Sequence, residues 1–70
     1  MTYKRIIAIN DTRIAEAMAD EAKHFGVTFR AALNGNANEY VIEGSVEKRR
    51  NIENIVAGVM AMDAQSAEVL

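Results

Sequence analysis

Residues 27–43 read VTFRAALNGNANEYVIE, and their interpretation decides the fold. Val27, Phe29, Ala31 and Leu33 alternate with Thr28, Arg30 and Ala32, which is the two-residue period of a strand. Asn34, Gly35, Asn36, Ala37 and Asn38 follow; asparagine and glycine tolerate positive φ, so this segment reads as a turn. Glu39 to Glu43 is a second short run, with Tyr40 and Ile42 opposite Val41. Together they predict a β-hairpin of strands 27–33 and 39–43.

Upstream, Ile14, Met18, Ala22 and Phe25 recur at helical spacing, with Arg13, Glu16, Asp20 and Lys23 on the other side. Asn10 or Asp11 can accept from the free amides of a first turn. Gly26 suits a left-handed C-cap, and Lys23 and His24 suit the negative end of the helix dipole. The spacing predicts a helix over 11–25. Before it, YKRIIAI at 3–9 is short and β-branched, with Ile7 and Ile9 on one face and Ile6 and Ala8 on the other. A strand apolar on both faces reads as an inner strand, or as one covered by a partner. Downstream, Ser45 is placed to cap a second helix over 46–64, with Ile52, Ile55, Val56 and Val59 as its apolar stripe. Gly58 inside that helix costs about 1 kcal/mol relative to alanine and suggests close approach of another backbone. Residues 65–70 read as a polar tail.

The order β-α-β-β-α predicts one domain over 1–70, an α+β two-layer sandwich. A right-handed crossover between strands one and two leaves the third strand antiparallel between them. The expected sheet is three-stranded and mixed, in order 1-3-2, with both helices on one face. It resembles, in architecture only, a ferredoxin-like layout lacking its last strand.

Composition sets limits. The chain has 70 residues, half of them apolar, with 26% charged and a formal net charge of −2. Twelve of the apolar residues are alanines, which bury little area each, so the monomer core is thin. The chain lacks cysteine, which excludes disulfides and thiolate metal clusters. Its apolar runs are too short for a membrane span or a signal-peptide core, so a cytoplasmic location is expected. The net charge argues against general nucleic-acid affinity.

Catalytic signals are sparse. His24 and Ser45 are the one nucleophile–base pairing worth weighing, and ordinary capping and dipole pairing account for each. Asp20 and His24 could both reach one ion, but a zinc site needs three or four protein ligands. Glu16 and Asp20 fall on an exposed helix face. No enzyme activity, metal or cofactor is expected.

Two surfaces stand out. The topology gathers Lys4, Arg5, Lys23, Ser45, Lys48, Arg49 and Arg50 at one pole, with the amides that open the second helix. In one reading this pole is solvated, with Arg49 and Arg50 paired to Glu53 and Glu47 to Arg50. In the other it binds a phosphate, a nucleotide or an acidic protein surface. Elsewhere, an edge strand bearing Ile6 and Ala8 and a small-residue stripe of Ala57, Ala61 and Ala64 point to a homodimer. Asp63 projects into the sector of Ile52, Val56 and Val59; the expectation is that the helix has left the core by then, the alternative a partner such as Arg13.

These features describe a non-enzymatic homodimer that modulates, by inhibition, a larger protein whose surface it occupies. Short cysteine-free chains of this kind include phage-encoded inhibitors of host systems, a comparison of class alone. The alternatives are a sensor or carrier of a small anionic ligand, and an RNA or single-stranded DNA binder. The last needs aromatics on the open sheet face, where Phe29 is not expected.

Overall fold

The computed structural model describes residues 1–33 and 38–69, and side chains as far as residue 65. The elements are β1 (Thr2–Ala8), α1 (Thr12–His24), β2 (Thr28–Ala31), β3 (Glu39–Ser45), a 3-10 turn (Val46–Lys48) and α2 (Arg49–Val69). The sheet order is β1-β3-β2. Both ladders are antiparallel; β1 and β2 run in the same direction but lie on either side of β3. The expected α+β layout, with its 1-3-2 order, is the observed one, but the sheet is antiparallel throughout rather than mixed, because β3 separates the two strands that run in the same direction.

Register sorts the two faces. Tyr3, Arg5 and Ile7 lie opposite Gly44, Ile42 and Tyr40, while Phe29 and Ala31 lie opposite Ile42 and Tyr40 from the other side. These residues face the helices. Ile7, Ile9, Val27 and Ile42 meet Ala15, Met18 and Ala22 of α1 and Ile52, Ile55, Val56 and Val59 of α2 in one core. Phe29 and Tyr40 stack at its border, ring centroids 5.1 Å apart. The open face carries Thr2, Lys4, Ile6 and Ala8 on β1, Glu39, Val41, Glu43 and Ser45 on β3, and Thr28 and Arg30 on β2. Tyr3, Phe29 and Tyr40, the aromatics of the strands, all lie on the helix side.

The helix ends follow their sequence signals. Asp11 caps α1 by accepting from the Arg13 amide at 2.9 Å. Gly26 takes φ 72°, the left-handed conformation that glycine adopts without steric cost. Phe25, expected in the α1 stripe, is instead the C-cap residue, and its ring is partly exposed.

Several boundaries differ from expectation. β2 is four residues long, and the hairpin closes where the Ala32 amide donates to the Glu39 carbonyl. Leu33 therefore leaves the alternation and is 94% exposed. The turn expected over 34–38 falls largely on residues 34–37, outside the described ones. β3 continues through Gly44 and Ser45, which were expected to open the second helix. The reason is packing: a Cβ on Gly44 would come 2.7 Å from Val27 Cγ1, so the missing side chain lets the sheet close on Val27. Ser45 pairs with Thr2, and its side chain makes no capping hydrogen bond. Finally, the stretch read as a polar tail continues α2 to Val69. It contains no glycine or proline to stop a helix.

Gly58 is not a point of close approach within this chain, because a Cβ there would meet nothing within 4 Å. Gly58→Ala is accordingly expected to raise stability by about 1 kcal/mol, the helix-propensity difference, read as a higher denaturant midpoint.

Candidate functional site

The start of β1, the end of α1 and the start of α2 do come together. The Val46 amide donates to the Met1 carbonyl at 3.2 Å, and Lys48 Nζ donates to the Phe25 carbonyl at 2.9 Å. Lys48 thus places its charge at the negative end of α1. A basic residue unfavourable at the start of α2 is favourable for the neighbouring helix.

The seven basic-pole candidates do not converge on one cavity. Lys4 lies on the open face opposite Glu43. Arg5 lies on the helix face, with Nη1 at 2.5 Å from Glu53 Oε1 and 2.6 Å from Oε2. The Arg49 guanidinium stands 5.4 Å from the centroid of the Tyr3 ring, within cation–π range. Lys23 and Ser45 are exposed. Arg50 is also exposed, and borders a shallow cleft with Arg49, Glu47, Glu53 and Asn54, where two carboxylates offset the two guanidinium groups. Glu53 was expected to pair with Arg49 or Arg50. It pairs instead with Arg5, which β1 presents on its helix face beneath the side of α2 that carries Glu53.

Tyr3 completes this cluster, its hydroxyl donating to Glu53 Oε2. The bonds from Tyr3 and then Arg5 hold the Glu53 carboxyl below the ordinary glutamate range, and Glu53 in turn raises the Arg5 guanidinium. A lowered folded-state value means that the cluster contributes in full above the ordinary range and loses its contribution as pH falls through the lowered value. On acidification from pH 7, the wild-type unfolding temperature is expected to fall more than that of Glu53→Gln. Parallel curves for the two proteins would assign the cluster no role in acid sensitivity.

A second polar cluster closes the other end. Asp63 is 5% exposed. Its Oδ1 accepts from the amides of Asn10 at 3.1 Å and Asp11 at 3.0 Å, and its Oδ2 from Asn10 Nδ2 at 3.3 Å. The expectation that α2 has left the core by Asp63 is overturned; Asp63 meets a partner, as the alternative held, and that partner is the β1–α1 loop rather than Arg13. The carboxylate stays buried because backbone donors surround it.

The five residues expected at a dimer interface are exposed. Ile6 and Ala8 lie on the open face of β1, an edge strand. Ala57 and Ala64 share with Arg49, Glu53 and Met60 the three-to-four spacing of one α2 flank, and Ala61 lies further round. Sequence reading singled out neither Met60 nor Tyr3, and it gave Glu53 to Arg49 and Arg50 rather than to Arg5 and Tyr3. The available signal was the recurrence of 49, 53, 57, 60 and 64 along one flank.

Other concavities hold less chemistry. A cleft of about 270 Å³ between the helices is lined by Glu21, Phe25, Asn51, Asn54, Ile55, Gly58, Val59 and Met62. Among the described residues no three His, Asp or Glu side chains are grouped to hold a metal ion. No described helix is long and apolar enough to cross a membrane. The chain matches no protein-family model, no curated protein and no solved structure.

Proposed function

We propose that the protein is a small non-catalytic binding protein that works as a homodimer and inhibits a larger protein by occupying its surface. What supports this reading is the direction of its side chains. Several polar groups able to build a ligand-holding centre are engaged with one another or with the backbone: Tyr3 and Arg5 with Glu53, Lys48 with the end of α1, Asp63 with the β1–α1 loop. Large apolar side chains point outward instead, with Ile6 at 54%, Met60 at 41% and Met62 at 47% exposure. A catalytic or carrier site needs convergent polar groups in a concavity, whereas a docking surface needs exposed apolar anchors.

The test has two arms. Immobilised protein is expected to capture a macromolecule from its source cells, and purified protein added back in stoichiometric amount is expected to lower that macromolecule's activity. The opposing result is a saturable thermal shift with nucleotide or inorganic phosphate, lost when Lys48, Arg49 and Arg50 become glutamine. A ligand at one hundred times its Kd stabilises by about 2.7 kcal/mol, which such a scan resolves. That outcome would replace this reading with the anionic-ligand one.

A further inference from the structure

We infer that two copies of this chain join through the free edge of β1, antiparallel about a two-fold axis at Ile6, giving one continuous six-stranded sheet with the outer flanks of the two α2 helices meeting over the join. The inference rests on the homodimer reading above and fixes its geometry. Three separate features place the join there.

The first is the backbone. The Ile9 amide donates to the Asn38 carbonyl, and the Val46 amide donates to the Met1 carbonyl. In an antiparallel ladder, bonded pairs alternate along the strand. Odd-numbered residues of β1 therefore bond to β3, and Thr2, Lys4, Ile6 and Ala8 direct their amides and carbonyls to the free edge. Among the described residues this edge pairs with no other strand, and proteins ordinarily cover such an edge.

The second is the pattern of side chains along that edge. With Ile6 opposite the partner's Ile6, Lys4 lies opposite the partner's Ala8, and about six main-chain hydrogen bonds form across the join. On the open face Val41 and Ile6 of one copy then continue into the partner's Ile6 and Val41, an unbroken row of β-branched side chains. Lys4 stands between its own Glu43 and, beyond the partner's small Ala8, the partner's Glu39. On the helix face Arg5 lies opposite the partner's Ile7. Shifting the axis to Arg5 would set the two arginines against each other and lay Lys4 against Ile6, so charge and apolarity both favour the Ile6 register over that one.

The third is α2. It packs on β3 and β1, and its inner side faces α1 across the cleft lined by Ile55, Gly58 and Met62. Its other flank, marked by Glu53 reaching Arg5, overhangs the free edge and carries Ala57, Met60 and Ala64. A helix seated over the β1–β3 pair lies about half a strand spacing inside β1. Two copies joined at β1 bring their α2 axes to about 10 Å, an ordinary interhelical distance. Ala57, a small residue, falls near the level of Ile6, where the two helices pass closest.

The chain has no cysteine, so each introduced thiol is unique. In the inferred register the Ile6 Cα atoms stand about 5.5 Å apart, within disulfide range, whereas the two Lys4 Cα atoms are about 14 Å apart. The wild-type chain is expected to run by light scattering at twice its 7.7 kDa mass. Ile6→Cys is expected to give a covalent dimer on mild oxidation, Lys4→Cys none by itself, and an equimolar mixture of Lys4→Cys and Ala8→Cys a covalent heterodimer. Ile6→Lys is expected to give a monomer with an unchanged circular dichroism spectrum. A wild-type monomer at micromolar concentration would overturn both this geometry and the homodimer reading. A wild-type dimer in which neither Ile6→Cys nor the Lys4→Cys/Ala8→Cys mixture cross-links would overturn the β1 join alone.

Discussion

Asp63→Ala is expected to destabilise the protein by about 2–4 kcal/mol, measured as a lower urea midpoint at fixed protein concentration. Hydrogen bonds to a charged acceptor are worth about 1.5–3 kcal/mol each, and bonds that share one carboxylate do not add in full. Alanine removes the acceptor for the Asn10 and Asp11 amides and leaves a gap beside Val59 and the start of α1. A chain of this length has a total stability of about 3.5–10 kcal/mol, so the substitution removes a large share of it. Asp63→Asn is expected to recover about half the loss, because its amide oxygen still accepts while its NH₂ confronts other donors. A loss below about 0.5 kcal/mol for alanine would mean that water replaces the carboxylate at the loop.

Ile42→Ala is expected to cost about 2–5 kcal/mol. Ile42 is fully buried on the central strand, with Arg5 opposite it on one side and Phe29 on the other. The space cannot collapse easily, because both neighbouring strands are held by ladder hydrogen bonds and Met18 and Ile52 are themselves fully buried in the same core. If the total stability lies near the lower end of its range, a loss at the upper end of this one leaves the domain largely unfolded at 25 °C, and the amide spectrum loses its dispersion. The comparison is Val41→Ala, similarly buried but on the open face and outside the helix-facing core. Its smaller volume change and its neighbours Ile6 and Arg30 predict a loss of about 1–2 kcal/mol.

The fold was legible where one pattern fixed one answer. The alternation from Val27 and the asparagine-rich segment after Leu33 determined a hairpin, and helical spacing at Ile14–Met18–Ala22 and Ile52–Val56–Val59 determined two helices on one side of it. The sheet order followed from connection rules. Errors came where a residue had two local meanings. Gly44 and Ser45 read as a helix start because both types favour helix ends, whereas the packing of Val27 against Gly44 and the pairing of Ser45 with Thr2 keep them in β3. Asp63 was recognised as out of place, but nothing local shows that the β1–α1 loop turns its amides toward it across 53 residues of chain. The chain segments that carry the basic residues do meet, at the start of β1, the end of α1 and the start of α2. Which carboxylate or carbonyl each cation would take was not readable, because Arg5, Arg49 and Lys48 find partners on other elements.

The Asp63 contact also makes one end of the molecule a reporter on the other. While the carboxylate holds them, the Asn10 and Asp11 amides are expected to exchange slowly with solvent, and faster when α2 lifts from the loop. Closing a loop of this length is entropically slow to reward, which places the contact late in folding. Two amide resonances near the start of the chain would therefore time the docking of a helix near its far end.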